Sequence, residues 1–285
     1  MSRSIPYDPS RRSLYTPCAD AIFLDASATR SEALLCAELS RLVYCAFDRD
    51  AAVRHAVTTQ LAAIGLSDTV FFDAAGLQAL LTVDTVKRLG VLVYRGTQAD
   101  ELKDLLANAN AFLKPWAGIG RVHTGFAAML AGKWRDIQAA IDVRQNIRFL
   151  YSGHSLGAAL ATLSAALRRP DALYTFASPR IGDAVFRESM AGVTCERYVD
   201  CSDIVCRIPD ANWSYEHVGT LKYFDQDGVL RAGISDAEIR SDQRSAKLAY
   251  ALRYGWRQPA TVLLRSFADH APINYIHALR ATAEL

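Results

Sequence analysis

The stretch Phe149-Leu150-Tyr151-Ser152-Gly153-His154-Ser155-Leu156-Gly157-Ala158-Ala159-Leu160 decides the fold. An apolar β-type run leads into Gly-His-Ser-Leu-Gly, and a run of small residues with helical character follows. This is the strand–turn–helix setting of a nucleophile elbow. A serine that attacks a carbonyl must stand clear of the sheet on a tight, strained turn. Gly153 and Gly157 leave space where side chains would strike the neighbouring strand or helix, and Ala158 and Ala159 let the helix pack close behind. The Leu156 N–H then sits at the helix N-terminus, directed to where an oxyanion would form. The five-residue motif by itself also suits an ordinary turn; the flanking strand and helix are what favour a nucleophile.

Working outward, strand–helix–strand alternation from 120 to 200 predicts parallel βαβ units. Before them, Thr69-Val70-Phe71-Phe72, the run 77–83 and Val91-Leu92-Val93-Tyr94 are closely spaced β-rich segments, which predicts antiparallel hairpins at the start of the sheet. Helices are expected over 31–46, with Ser31 as N-cap, and over 50–64, closed by Gly65. One helix is expected from 121–126 to about 141, another after Asp183, another over 235–254 and a last one over 269–283. Asp227-Gly228 marks a hairpin turn. Residues 1–30 form an N-terminal arm, and 31–285 a single α/β domain with a mixed, mostly parallel sheet between helices.

Composition narrows the function. The chain has 285 residues, 51% hydrophobic and 22% charged, enough for one large core. With 32 basic and 30 acidic residues, no basic excess points to nucleic acid, and the overall balance does not argue strongly for an anionic membrane surface. Cys18, Cys36, Cys45, Cys195, Cys201 and Cys206 form no Cys-x-x-Cys pair and join no histidine cluster, so neither zinc nor another metal is expected. They read as ordinary buried or free thiols; their even number permits disulfides without demanding them. The segment 1–17 is polar and carries no apolar signal core, which leads us to expect a cytoplasmic protein or one exported by a signal-independent route. No apolar run reaches the ~18 residues of a membrane span.

A serine nucleophile needs a base within hydrogen-bond reach, and the base needs an orienting carboxylate. In this architecture the chain order is serine, acid, histidine. Asp171, Asp183, Asp200, Asp203 and Asp210 are the acid candidates. Asp203 lies just past the strand Arg197-Tyr198-Val199, where an orienting acid belongs. His217, His270 and His277 are the base candidates. His270, at a helix start, presents its ring to a cleft more freely than a histidine in a strand, but spacing leaves His217 open.

Seven ordered motifs carry a resemblance. They are Tyr94-Arg95-Gly96-Thr97, Val122-His123-Thr124-Gly125-Phe126, Gly153-His154-Ser155-Leu156-Gly157, the run 175–183, Asp203-Ile204-Val205 with Pro209, His217-Val218-Gly219-Thr220, and Asp269-His270 with Tyr275. The chain resembles the class 3 lipases, the fungal triacylglycerol lipase-like branch of the α/β-hydrolases. The resemblance covers about 30–282 and leaves the arm and 231–266 unmatched. It implies an α/β-hydrolase fold with a lid, Ser155 as nucleophile, Asp203 as orienting acid, His270 as base, and backbone N–H groups of Thr97 and Leu156 as the oxyanion hole. It makes His217 structural. It implies no cofactor, and an ester or lipid substrate met at a lipid–water interface. Two departures are Ala177, where the family more often has glycine and where only packing is expected to change, and Cys206, where many members have proline. The family's lid corresponds to 98–117, with Leu102, Leu105 and Leu106 on one helical face. The segment 235–268 is a candidate second cap, with Tyr250, Leu252, Tyr254 and Trp256 as acyl-pocket candidates, although core packing is the commoner fate of such residues. The rival readings are a short-chain or feruloyl-type esterase and an inactive lipase-like interaction module.

Overall fold

The computed structural model describes residues 5–18, 29, 31–45, 47, 50–74, 76–98, 112–255 and 259–283. The arm ends in α1 (Arg11–Tyr15), and α2 (Glu32–Leu42) and α3 (Ala51–Ala63) follow. Next come β1 (Asp68–Ala74), β2 (Leu77–Asp84), β3 (Leu89–Tyr94), β4 (Leu113–Pro115) and β5 (Arg121–His123). The central part holds α4 (Thr124–Ala131), α5 (Trp134–Asp142), β6 (Arg148–His154), α6 (Leu156–Leu167), β7 (Ala172–Phe176), α7 (Ala184–Ser189) and β8 (Thr194–Asp200). Last are β9 (Thr220–Phe224), β10 (Leu230–Arg231), α8 (Asp236–Tyr254), α9 (Arg265–Ala268) and α10 (Pro272–Ala283).

The main sheet runs β1-β2-β3-β6-β7-β8-β9-β10, and β4 pairs with β5 in a separate ribbon. The strands β1, β2 and β3 form an antiparallel meander, β3, β6, β7, β8 and β9 are parallel, and β10 closes the edge antiparallel. This is the mixed, mostly parallel sheet expected of an α/β-hydrolase. Side chains alternate across it with period two. Leu80, Val91, Val93 and Leu150 pack on one face with Leu35 and Leu39 of α2 and Ile276 of α10. Leu81, Leu92, Phe149 and Tyr151 pack on the other with Phe126, Ile137 and Leu160 of α4, α5 and α6. Each fully buried leucine of this kind contributes about 1.5–3 kcal/mol.

Local chemistry sets the element ends. Ser31, Asp50 and Asp183 cap α2, α3 and α7 through side-chain oxygens. Ser235 and Glu238 form a reciprocal capping box on α8. Elsewhere the structure departs from the sequence reading. The single helix expected up to 141 is strand β5 and two helices. The His123 side chain caps α4 by accepting from Gly125 and Phe126 N–H groups, and the helical run breaks at Gly132-Lys133 before α5. The last helix begins at Pro272, not Asp269, because proline suits the first helical turn but its missing N–H and ring obstruct an earlier one. Cys18 and Cys45 are joined in a disulfide, and only Cys36, Cys195, Cys201 and Cys206 are free thiols. Ala177 has φ +54°, so its departure from glycine is a matter of backbone conformation as well as packing.

Candidate active site

The elbow forms where β6 meets α6. Ser155 has φ +58° and ψ −127°, a sparsely populated conformation for a residue with a Cβ. Close packing holds it there. A Cβ on Gly153 would lie 2.3 Å from the Gly157 backbone, and one on Gly157 would lie 2.2 Å from the Tyr94 carbonyl oxygen. The two glycines are thus required by contact, and the second presses the end of β3 against the elbow. The Ser155 N–H donates to the Phe176 carbonyl at 2.9 Å, which fixes the turn to β7.

Three side chains from distant parts of the chain converge at this point. Ser155 Oγ lies 3.1 Å from His270 Nε2. His270 Nδ1 lies 2.9 Å from Asp203 Oδ2 and 3.0 Å from Oδ1. Asp203 also accepts from the Val205 N–H at 2.9 Å and from the Tyr275 hydroxyl at 2.7 Å. A carboxyl group so surrounded by donors acts as an acceptor toward Nδ1, which therefore carries the ring proton. Nε2 then presents its lone pair to the Ser155 hydroxyl. All three side chains are buried. Burial and the facing Asp203 push the Tyr275 hydroxyl well above the usual phenol range, so it stays a proton donor.

A small cavity of about 10 Å³ lies over this centre, lined by Leu14, Pro17, Tyr44, Thr97, His154, His270 and Pro272. Thr97 and His270 line the same small cavity. Leu156 is the first residue of α6, and N–H groups at a helix start have no partner within the helix. The 98–117 lid falls mostly outside the described residues; within its last part, 113–115 is strand β4. The second-cap reading needs correction. Tyr250 is buried against Tyr7, with its hydroxyl donating to the Val262 carbonyl, and Leu252 points to solvent. Neither these nor Tyr254 line the cavity, because the buried face of α8 is turned toward the arm and not toward Ser155; Trp256 lies outside the described residues.

The sequence reading missed several contributors. Tyr44 Oη lies 2.9 Å from His154 Nδ1, and the His154 ring stands 4.6 Å from that of His270. Burial, then the neighbouring His270, holds His154 well below the usual histidine range, so it adds no positive charge beside the base. The buried Asp269 accepts from the Tyr7 hydroxyl at 2.7 Å and from the Ser202 N–H at 2.9 Å, and pairs with Arg265 at 3.2 Å. It ties the arm to the loops on which Asp203 and His270 sit. Burial pushes its carboxyl up to about 6 despite the Arg265 guanidinium. No spacing rule could have found these pairs: Tyr7–Asp269 and Tyr44–His154 are 262 and 110 residues apart.

His217 is not at the centre. Its Nε2 lies 3.0 Å from the Cys206 carbonyl, so it supports the turn after Asp203. Burial, then Arg197 and Arg180, holds it well below the usual histidine range. In the unfolded chain it titrates near ~6.5. A depressed folded value means that the native state loses stability as pH falls below that point. His217→Gln, which keeps a donor for Cys206, should escape this loss. The stability gap between wild type and variant should therefore narrow by about 1.4 kcal/mol per pH unit below ~6.5. Urea denaturation at several pH values measures it, and a pH-independent gap refutes it.

The Lipase (class 3) family profile matches residues 91–213, which include β3, the elbow and Asp203. Over that stretch the chain is similar to the class 3 lipases. Among its relatives, the secreted mono- and diacylglycerol lipase 1 of Fusarium solani is 30% identical over 178 residues, spanning 58% of this chain and 52% of its own. The triacylglycerol lipase OBL1 of Ricinus communis is 36% identical over 212 residues, spanning 60% of this chain and 39% of its own. The chain thus spans about half, or less, of the length of these curated relatives. A structure of the Rhizomucor miehei lipase in its propeptide complex superposes with TM-score 0.58 at 21% identity, covering 70% of this chain and 69% of that one. The lipase of Rhizopus microsporus var. chinensis gives 0.56 at 18% identity, covering 78% and 84%. These superpositions bear on the fold alone: the chain has the α/β-hydrolase fold.

Proposed function

We propose that the chain is a carboxylic ester hydrolase of the lipase type, acting on acylglycerols or related fatty-acid esters. One observation carries the reading: the continuous run from Asp203 through His270 Nδ1 and Nε2 to Ser155 Oγ, at 2.9 and 3.1 Å. In this reading His270 takes the Ser155 proton as Oγ attacks the ester carbonyl. The N–H groups of Thr97 and Leu156 receive the developing oxyanion, a donor set in which each member is worth about 10²–10³ in turnover. Protonated His270 then gives its proton to the leaving alcohol, and an acyl-Ser155 ester remains. A water molecule activated by His270 releases the acid. Asp203 holds the imidazole in its Nδ1–H tautomer, and neutral His154 leaves the imidazolium unopposed by like charge. Each step uses only side chains and backbone groups of this chain.

The presence of all three residues weighs against the inactive-module reading. The Cys18–Cys45 disulfide supports the exported alternative for localisation, since such bonds persist in oxidising compartments. The relatives' printed names support glycerol esters over feruloyl esters. The test is labelling with an acyl-mimicking phosphonate, read by peptide mass spectrometry beside hydrolysis of nitrophenyl esters of graded chain length. One phosphonate on Ser155 with loss of hydrolysis is the expected result. A label on another serine, or full activity after labelling of Ser155, refutes the proposal.

A further inference from the structure

Among the described residues, five of the exposed large hydrophobic side chains lie on three elements that touch one another. Leu248 and Leu252 of α8 are 64% and 76% exposed, Leu263 and Leu264 before α9 are 77% and 54%, and Tyr15 of α1 is 42%. Helix α9 packs on both α8 and α1. The Tyr250 hydroxyl bonds the Val262 carbonyl, Val262 N–H bonds the Pro9 carbonyl, and Arg11 N–H bonds the Ala260 carbonyl. The elements are therefore one surface unit.

The leucines of α8 are not spill-over from the core. Gln243, Ala246 and Tyr250 are its buried residues. At about 100° per residue, Leu248 and Leu252 stand on the opposite side of the helix, one turn apart. Over its C-terminal half the helix therefore carries leucines outward as well as an apolar buried face, among exposed Arg244, Ser245 and Lys247. Its charge is also polarised. Asp236, Glu238 and Asp242 are confined to the first two turns, whereas 243–254 carries Arg244, Lys247 and Arg253 and no acid. Exposed Arg11 and Arg12 on α1 add to the same sign.

The unit also borders the reacting centre. Leu14, next to exposed Tyr15, lines the cavity beside His270, and Leu264 begins the helix that leads to Asp269 and His270.

We propose that the outer face of α8, with Leu263, Leu264 and Tyr15, docks on an anionic lipid surface and brings the His270 side of the molecule against it. The inference rests on the lipase reading for its purpose but not for its evidence. Leucines enter the acyl boundary while Arg244, Lys247 and Arg253 meet anionic headgroups, the composition of an interfacial helix. Zwitterionic lipid lacks the second attraction.

The test is co-sedimentation with vesicles of phosphatidylcholine alone or of equimolar phosphatidylcholine and phosphatidylglycerol. It is paired with hydrolysis of a soluble short-chain ester and of diacylglycerol held in the same vesicles. Wild type should bind the anionic vesicles at least about tenfold more tightly than the neutral ones. Leu248→Ser, Leu252→Ser, Leu263→Ser and Leu264→Ser combined should lower anionic-vesicle binding at least about tenfold, with melting temperature and soluble-ester hydrolysis unchanged. Arg244→Glu with Lys247→Glu should remove the preference for anionic lipid. Equal binding of both vesicle types, or unchanged binding in the leucine variant, overturns the proposal. So does a wild-type dimer in sedimentation velocity that the leucine variant dissolves, because the face would then cover a second copy. Vesicle binding without any ester hydrolysis would fault the catalytic reading and leave the docking surface standing; soluble-ester hydrolysis without vesicle binding would do the reverse.

Discussion

Ser155→Ala is expected to lower turnover of any ester substrate by at least ~10⁴-fold while leaving the fold intact. The size follows from what the variant loses and keeps. It loses the covalent route, because no other serine among the described residues has its hydroxyl on a histidine nitrogen. Ser152 and Ser164, the nearest in sequence before and after Ser155, have their hydroxyls on Ser40 and on the Leu160 carbonyl. It keeps the His270–Asp203 pair and the N–H groups proposed as the oxyanion hole, so a slow attack by water polarised at His270 remains. The fold should survive, since the Ser155 backbone is held by its bond to Phe176 and by the contacts of Gly153 and Gly157, none of which uses the hydroxyl. Pre-steady-state assays with a nitrophenyl ester should show the acyl-enzyme burst of the wild type vanish. A variant that keeps the burst, or turnover within tenfold of wild type, rules out Ser155 as the nucleophile.

What could be read from the sequence was whatever backbone geometry imposes on residue type. An elbow needs small residues at two fixed offsets, so Gly153 and Gly157 reported the turn, and the turn reported Ser155. Short, closely spaced β-rich runs and the Asp227-Gly228 turn reported the strands. The positions after β8 and before α10 are where a parallel sheet presents its loops, so Asp203 and His270 were legible as candidates, although spacing did not exclude His217. The family resemblance excluded it. Its bond to the Cys206 carbonyl is a finding of the structure. Other features left no local trace. Helix propensity runs through 124–142 without a stop strong enough to reveal the break at Gly132-Lys133. The positive φ of Ala177 is imposed by the β7–β8 pairing around it, through its N–H bond to the Tyr198 carbonyl, and alanine does not announce it. The arm was illegible for a different reason. Its role is set by partners at the far end of the chain, Asn274 for Asp8 and Asp269 for Tyr7. Neither periodicity nor motif records such pairs.

Asp203→Asn should be nearly as severe as removal of the nucleophile, about 10⁴-fold in kcat, although it changes one atom and no volume. The reason lies in which donors already occupy the carboxyl. Oδ1 accepts from the Val205 N–H at 2.9 Å, an obligatory backbone donor, so the asparagine oxygen is drawn to that side. The amide nitrogen then replaces Oδ2, which faces both His270 Nδ1 at 2.9 Å and the Tyr275 hydroxyl at 2.7 Å. An NH₂ group there competes for Nδ1 with the retained oxygen 3.0 Å away, and wherever it donates to Nδ1 the ring carries its proton on Nε2. That proton points at Ser155 Oγ, 3.1 Å away, and the base can no longer accept. The Tyr275 hydroxyl, which already accepts from the Asp200 N–H at 3.1 Å, loses its carboxylate acceptor, so stability should fall by about 1–3 kcal/mol. Two measurements separate this account from a general loss of fit. The affinity of a non-covalent substrate analogue should be unchanged, because no binding contact is altered. Imidazole nitrogen shifts should report the Nε2–H tautomer in the variant and Nδ1–H in the wild type. If the variant kept the Nδ1–H tautomer and still lost activity, Asp203 would act in some way other than by orienting His270.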